Sequence, residues 1–203
     1  MSAPASAEAE RFAFTPENRA EADAEIAKYP DGRQASAVLS LLDLAQRQSG
    51  GWLPRAAIEH VAAILGMPFI RAYEVATFYS MFNLNPVGEH LVQLCRTTPC
   101  WLRGSDEVRD ACKKALGVGI GETTPDGKFT LVEVECLGGC VNAPVVQIND
   151  DFYEDLTGAR MSEILLALMR GEDVPPGPQI KRLHSAPIGG LTTLAGTAEA
   201  EKA

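Results

Sequence analysis

The chain has 203 residues, a formal net charge of −9 and 46% hydrophobic residues. This length suits one large domain or two small ones, and the hydrophobic fraction is sufficient for a packed core. The apolar runs are all shorter than the roughly 20 residues that span a bilayer, so we expect no direct membrane insertion. No stripe of Lys and Arg is present to neutralise phosphates, which argues against nucleic acid as a partner.

The N-terminal region shows a helical pattern after a polar start. Residues 1–13 are rich in Ala, Ser and Glu and predict a disordered arm, without the basic or apolar features of a secretory or mitochondrial leader. We therefore expect a bacterial cytoplasmic protein or one whose leader has already been removed. Residues 14–83 predict a small bundle of four amphipathic helices. These helices begin near Pro16, Gln34, Pro54 and Pro68, and the last runs to about Phe82 with Val75, Phe78, Tyr79 and Phe82 on one face.

The second half of the chain has a mixed pattern, in the order β-α-β-β-α. Residues 89–172 predict a compact sheet covered by helices, which makes the fold class α+β. The predicted elements are strands His90–Leu94, Phe129–Val134, Val145–Ile148 and Phe152–Tyr153, and helices Ser105–Leu116 and Thr157–Arg170. Residues 117–127 predict a loop. Residues 173–203 contain several prolines and few periodic apolar positions, which predicts an extended or disordered tail.

Four of the five cysteines form two close pairs. Cys95 and Cys100 have the spacing C-x4-C, and after a gap of 35 residues Cys136 and Cys140 have the spacing C-x3-C. An odd number of cysteines without a secretory signal argues against a disulfide framework. Each pair follows the end of a predicted strand. If those strands are neighbours, the two loops meet at one edge of the sheet, and four thiolates could converge on one metal site.

The surrounding residues favour a cluster of metal and sulfur. Gly138 and Gly139 allow a tight turn close to sulfur atoms, and the hydroxyls of Thr97 and Thr98 could donate hydrogen bonds to sulfur. A structural zinc site remains an alternative, although C-x4-C is wide for it. A redox-active dithiol would need C-x-x-C, which is absent.

The remaining candidate residues favour packing roles. Cys112 lies within a predicted helix and is interpreted as a core thiol. His60 and His90 are interpreted as structural, because all four cysteines are available as ligands. The Gly-rich run 117–121 follows a helix and lacks the spacing of a nucleotide-binding loop. A redox centre without a substrate site indicates an electron relay.

Three segments resemble a known family. The segments Val75–Phe82, Cys95-x4-Cys100 and Cys136–Pro144 (CLGGCVNAP) are similar to the 24 kDa subunit family of respiratory complex I, whose bacterial members are called the E subunit. The resemblance covers about residues 14–172, and Gly189–Leu194 also resembles the tails of this family.

The resemblance implies a thioredoxin-like ferredoxin domain behind the helical domain. It also implies that Cys95, Cys100, Cys136 and Cys140 bind one [2Fe–2S] cluster, and that the chain itself has no catalytic residue. The expected partners are the FMN- and NADH-binding subunit of NADH-quinone oxidoreductase and further iron–sulfur subunits, on the inner face of the bacterial inner membrane. The same module occurs in NAD-dependent formate dehydrogenases and NAD-reducing hydrogenases, which are the nearest alternatives. A zinc-stabilised interaction module is the alternative from another class.

Overall fold

The computed structural model describes residues 11–190 and 192–193. These residues divide into two compact units, and the division falls between Glu89 and His90. Most of the predicted disordered arm, and Leu191 and Leu194 of the predicted family-like tail, lie outside the described residues. The domain limits 14–83, 89–172 and 173–203 stay predictions.

The first unit consists of four α-helices and a short 3₁₀ helix around one hydrophobic core. Thr15 caps the first helix by accepting a hydrogen bond from the amide of Asn18 at 3.2 Å, and Pro16 occupies the first turn. The elements are α1 Pro16–Ile26, the 3₁₀ helix Gln34–Ala37, α2 Val38–Gln48, α3 Arg55–Ile64 and α4 Phe69–Phe78. The largest fully buried side chains of this core are Leu41, Leu42, Leu53, Ile58 and Val61.

The fourth helix is shorter than the sequence predicts. It ends at Phe78, because Tyr79 leaves the helical region with φ −88° and ψ 115°. Beyond that point the helical spacing no longer determines which side chains share a face. Phe82 therefore reaches the core through a turn, whereas Phe78, predicted on the same buried face, is 79% exposed. The prediction of a helix to Phe82 with Phe78 buried is wrong.

The second unit is a six-stranded sheet with helices packed on it, and the predicted mixed fold class is confirmed. The strand order is β2-β3-β1-β4-β5-β6. β1 pairs with β3 in parallel and with β4 antiparallel, so β1 lies inside the sheet. The strands are β1 His90–Cys95, β2 Glu122–Thr123, β3 Phe129–Val134, β4 Val146–Ile148, β5 Asp151–Glu154 and β6 Gly177–Pro178.

Three helices follow in this unit: α5 Thr98–Leu102, α6 Ser105–Leu116 and α7 Gly158–Met169. Side chains of α6 and α7 share one core with the sheet, including Val108, Ile164 and the central strand residue Val92. Thr157 caps α7 by accepting from the amide of Arg160 at 3.1 Å. Three elements go beyond the predicted pattern: the short helix α5, strand β2 in the predicted loop, and strand β6 in the predicted tail.

Within the described residues, no helix is both long enough and apolar enough to cross a bilayer.

Candidate metal centre

The first cysteine pair lies where β1 passes into a short helix. Cys95 is the last residue of β1, and Cys100 lies in α5, the helix of five residues that follows it. The amide of Trp101 donates to the carbonyl of Thr97 at 3.0 Å, which closes this turn. Both thiols are buried, with relative exposures of 2% for Cys95 and 1% for Cys100.

The second pair lies on the loop that follows β3, and both of its thiols are exposed. Cys136 follows the strand, and Cys140 begins a short 3₁₀ turn, Cys140–Asn142. The two sulfur atoms are 3.4 Å apart. Gly138 has a φ of 85°, which favours glycine, and its amide donates to the sulfur of Cys136 at 3.4 Å. A Cβ at the next residue, Gly139, would lie 3.1 Å from Val145 Cγ2.

The sheet brings the two pairs together, as the strand-end argument predicts. β1 and β3 are parallel neighbours, and Cys95 lies opposite Val134 in their register. The second loop then starts beside the first pair. The amide of Cys95 also donates to the carbonyl of Val145 at 3.3 Å. Cys95, Cys100, Ala143 and Val145 form one small buried cluster.

Hydrogen bonds make one thiol of each pair more acidic than its partner. Burial would raise the pKa of Cys95, but hydrogen bonds from the Thr97 hydroxyl, at 3.4 Å from the sulfur, and from backbone amides lower it below its ordinary value. The amide of Gly138, and then the thiol of Cys140, lower the pKa of Cys136.

The other thiol of each pair has a raised pKa. Burial, and then the hydrogen bond to Cys95, raises the pKa of Cys100 to about 12. The hydrogen bond to Cys136, and then burial, raises the pKa of Cys140. The repulsion of the Cys95 and Cys136 thiolates adds to this effect on Cys140. The thiol of Cys140 thus interacts with Cys95 and Cys100 of the first pair as well as with Cys136.

Comparisons with known proteins agree with this architecture. Residues 22–169 match the family model described as thioredoxin-like [2Fe–2S] ferredoxin. The chain belongs to the thioredoxin-like [2Fe–2S] ferredoxin family. This confirms the resemblance noted in the sequence.

Two relatives of the chain are named as components of NADH-oxidising enzymes. The chain is 63% identical over 154 residues to the E subunit of NADH-quinone oxidoreductase from Rickettsia conorii, covering 76% of this chain and 92% of the relative. It is 53% identical over 183 residues to NADH dehydrogenase [ubiquinone] flavoprotein 2, mitochondrial, of Dictyostelium discoideum, covering 90% of this chain and 74% of the relative.

A solved structure, the NAD⁺-reducing [NiFe]-hydrogenase in its air-oxidised state, shares the fold with this ferredoxin family member. The TM-score is 0.57 at 19% identity, and the match covers 66% of this chain and 23% of the hydrogenase chain. At this identity the likeness is one of fold alone.

The four thiols are a donor set that fits the two-iron cluster of the ferredoxin family. Tetrahedral coordination with metal–sulfur bonds of about 2.3 Å places two sulfurs about 3.8 Å apart. The 3.4 Å between Cys136 and Cys140 is close to that separation. In the described part of the chain, no group of three or more His, Cys, Asp or Glu side chains is arranged to hold a metal ion. Two thiol pairs suit two irons that take two thiolates each.

The other sequence candidates have packing roles, as predicted. Cys112 is fully buried in the core of the second unit, and burial raises its pKa to about 12. His60 accepts a hydrogen bond from the amide of Phe14 at 3.4 Å, and the His90 ring packs against Phe129. Thr98, predicted as a hydrogen-bond donor to sulfur, is the exposed first residue of α5.

Several contacts around the Cys140 turn were not predicted. The side chain of Asn142 is 1% exposed and donates to Glu154 at 2.6 Å and to the carbonyl of His184 at 3.1 Å. Its partners are 12 and 42 residues away in the chain, and the second lies in the predicted tail. No spacing pattern identifies contacts of this kind.

Proposed function

We propose that Cys95, Cys100, Cys136 and Cys140 bind one [2Fe–2S] cluster, with each close pair on one iron. The observation that carries the assignment is the meeting of the two pairs at the end of the parallel strands β1 and β3. The sulfurs of Cys136 and Cys140 are 3.4 Å apart, close enough for one metal ion to bind both. Cys95 and Cys100 lie together in one small buried cluster.

The residues around the sulfurs support a redox role. A [2Fe–2S] cluster held by four thiolates takes up and releases one electron at a time. Hydrogen bonds to the sulfurs stabilise added negative charge, and the Thr97 hydroxyl and the Gly138 amide supply such bonds to Cys95 and Cys136. Burial of Cys95 and Cys100 shields one side of the site from water.

We infer that the electron is exchanged with the flavin of an NADH-oxidising partner subunit. The relative named as the E subunit of NADH-quinone oxidoreductase supports this inference, and FMN and NADH are then bound by the partner. Three exposed apolar side chains adjoin the ligands: Trp101 and Leu102 follow Cys100, and Val141 follows Cys140, with exposures of 55%, 71% and 70%. An apolar rim beside a redox centre suits a docking surface.

The assembly is a respiratory complex with further iron–sulfur subunits, peripheral on the inner face of the bacterial inner membrane. The relatives named above favour complex I over a formate dehydrogenase or a hydrogenase. The hydrogenase likeness, at 19% identity, concerns the fold alone.

Serine variants test the ligand assignment. Cys136→Ser in the full chain, purified anaerobically, should lose or strongly alter the visible absorption of the cluster and lower the bound iron. Cys112→Ser is the matched control and should keep both, because Cys112 is packed in the core of the sheet and its helices. An unchanged spectrum in Cys136→Ser, or loss in a correctly folded Cys112→Ser, would overturn the assignment.

A further inference from the structure

A charged side chain is buried beside the turn that carries Cys140. Arg182 lies four residues after β6, and its side chain is 6% exposed. Its guanidinium forms an ion pair with Asp155, which is 5% exposed, at a distance of 3.4 Å. A long cationic side chain is rarely buried to this extent without a specific partner.

Arg182 also donates hydrogen bonds directly to the turn. Its Nη1 contacts the carbonyl of Val141 at 3.3 Å and the side-chain oxygen of Asn142. The carbonyl of His184 accepts from the side-chain amide of Asn142 at 3.1 Å. The two residues after Cys140 are therefore held from outside by residues 182 and 184.

The turn is tied to the fold from its other side as well. The amide of Asn142 donates to the carbonyl of Gly139 at 3.0 Å, and the amide of Asp155 donates to the carbonyl of Asn142 at 2.7 Å. The backbone of Asp155 thus contacts the turn, and the carboxylate of Asp155 contacts Arg182. Arg182, Asp155 and Asn142 form one connected group behind Cys140.

Residues 177–184, here called the strap, are themselves fixed to the second unit. Gly177 and Pro178 pair with Tyr153 and Glu154 of β5, and the amide of Gln179 donates to the carbonyl of Glu154 at 2.9 Å. The Arg160 side chain of α7 donates to Gln179 Oε1 at 3.1 and 3.0 Å. The part of the strap that precedes Arg182 is therefore anchored to β5 and α7.

Stability alone does not explain this buried pair. Removing two charges from water costs more than many buried ion pairs return. Arg182 Nε and Asp155 Oδ2 are buried and have no hydrogen-bond partner among the described residues, so the pair is not fully satisfied. The hydrogen bonds that Arg182 makes to described residues are those to Val141 and Asn142 of the Cys140 turn.

We propose that Arg182 is a positioning residue of the cluster site, which holds the Cys140–Asn142 turn in the geometry that lets Cys140 bind iron. The proposal rests on the assignment of Cys140 as a ligand. Residues that orient a metal ligand commonly change metal affinity by about 10- to 100-fold when replaced. The strap, which begins 37 residues after Cys140, is then a part of the redox site.

Four variants of the full chain separate positioning from charge. Arg182→Met removes both the charge and the hydrogen bonds and leaves Asp155 unpaired. Arg182→Met with Asp155→Asn removes the unpaired charge but does not restore the bonds to the turn. Arg182→Lys keeps the charge and can reach one acceptor. Arg170→Met is the matched control, because Arg170 pairs with Glu172 on the surface at the end of α7.

Two measurements are made on each variant. The first is hydrogen exchange of the amides of Asn142 and Asp155 in the iron-free chain, which does not depend on a cluster. The second is the rate at which a chelator removes iron from the reconstituted chain. We expect exchange and iron loss to be roughly 10-fold faster in Arg182→Met and in the double variant, intermediate in Arg182→Lys and unchanged in Arg170→Met.

The possible outcomes are distinct. Normal iron retention in the double variant would overturn the proposal. It would show that iron loss in Arg182→Met comes from the unpaired carboxylate of Asp155 and not from the lost hydrogen bonds to the turn. Unchanged amide exchange in Arg182→Met would also overturn it, even if iron were lost faster. If the wild-type chain bound no iron, the cluster assignment would fail, and with it the ligand role of the turn, whatever the exchange result.

Discussion

The amide of Cys95 donates a hydrogen bond to the carbonyl of Val145 at 3.3 Å. Cys95 ends β1, and Val145 directly precedes β4, so this bond joins the first cysteine pair to the end of the second loop. The Val145 side chain lies against Gly139, which stands between Cys136 and Cys140 in the sequence. The arrangement of the four proposed ligands therefore depends on close packing around Val145.

Gly139→Ala should disturb this packing. The new Cβ would lie 3.1 Å from Val145 Cγ2, and Val145 is 2% exposed and has little room to move. We expect the free energy of unfolding to fall by about 1 kcal/mol and the chain to retain less iron. Thermal or denaturant unfolding and an iron assay check this. Adding Val145→Ala should restore part of the iron content, and Gly189→Ala is the control because a Cβ there meets nothing within 4 Å. Iron content and stability equal to wild type in Gly139→Ala would contradict the packing account.

Thr97→Val should make the cluster harder to reduce. The variant removes the hydroxyl that lies 3.4 Å from the sulfur of Cys95 and keeps the side-chain volume nearly constant. A hydrogen bond of about 1 kcal/mol that favours the reduced state corresponds to about 40 mV for one electron, so the potential should fall by up to that amount. A redox titration followed by electron paramagnetic resonance measures the shift. Thr97→Ser keeps the hydroxyl and should stay near wild type; a rise in potential in Thr97→Val would contradict the assigned direction.

The cysteines of the iron-free chain should react with iodoacetamide in a fixed order. Cys136 should react first, because it is exposed and hydrogen bonds lower its pKa. Cys112 should react last, because it is fully buried and its pKa is raised to about 12. Since the thiolate is the reactive form, the Cys136 rate should level off at a lower pH than that of an ordinary thiol. The Cys112 rate should still be rising at the highest pH at which the chain stays folded, because its pKa is about 12. Peptide mass spectrometry at several pH values gives the rates, and faster labelling of Cys112 than of Cys136 would contradict the structure.

Replacing the apolar rim should weaken docking without affecting the metal site. Trp101→Ser combined with Val141→Ser removes two large exposed apolar side chains next to Cys100 and Cys140. We expect binding to the flavin-bearing partner to weaken at least about 10-fold, because apolar anchors carry much of the energy of an interface. Binding is measured by titration with the purified flavin-bearing partner. Leu166→Ser, at a residue of α7 that is 49% exposed, is the control. Unchanged affinity in Trp101→Ser with Val141→Ser would show that these two side chains are not part of the interface.

Sequence reasoning succeeded where local signals and the fold agree. Helix α6 has the predicted bounds, because its apolar spacing is regular and Gly117 ends it in the left-handed conformation. The parallel neighbours β1 and β3 bring the cysteine loops together, as the strand ends predicted. Elements too short for a periodic pattern, such as α5 and β6, were not predicted.

The errors have physical causes. The helical spacing of apolar residues predicts that α4 continues to Phe82, but the backbone leaves the helix at Tyr79. The pattern of apolar residues contains no signal for that change. The contacts of Arg182 with Val141 and Asn142 join residues 41 and 40 positions apart, in a segment without apolar periodicity. Polar contacts at such separations depend on the tertiary structure, so only the folded structure reveals them.

The central claim is that four thiolates of this chain hold one redox-active [2Fe–2S] cluster. The most direct test is low-temperature electron paramagnetic resonance of the anaerobically purified chain before and after dithionite, with iron and zinc measured on the same sample. The account predicts a signal only after reduction and about two irons per chain. No signal, no iron and about one zinc per chain would contradict it and indicate a structural zinc site.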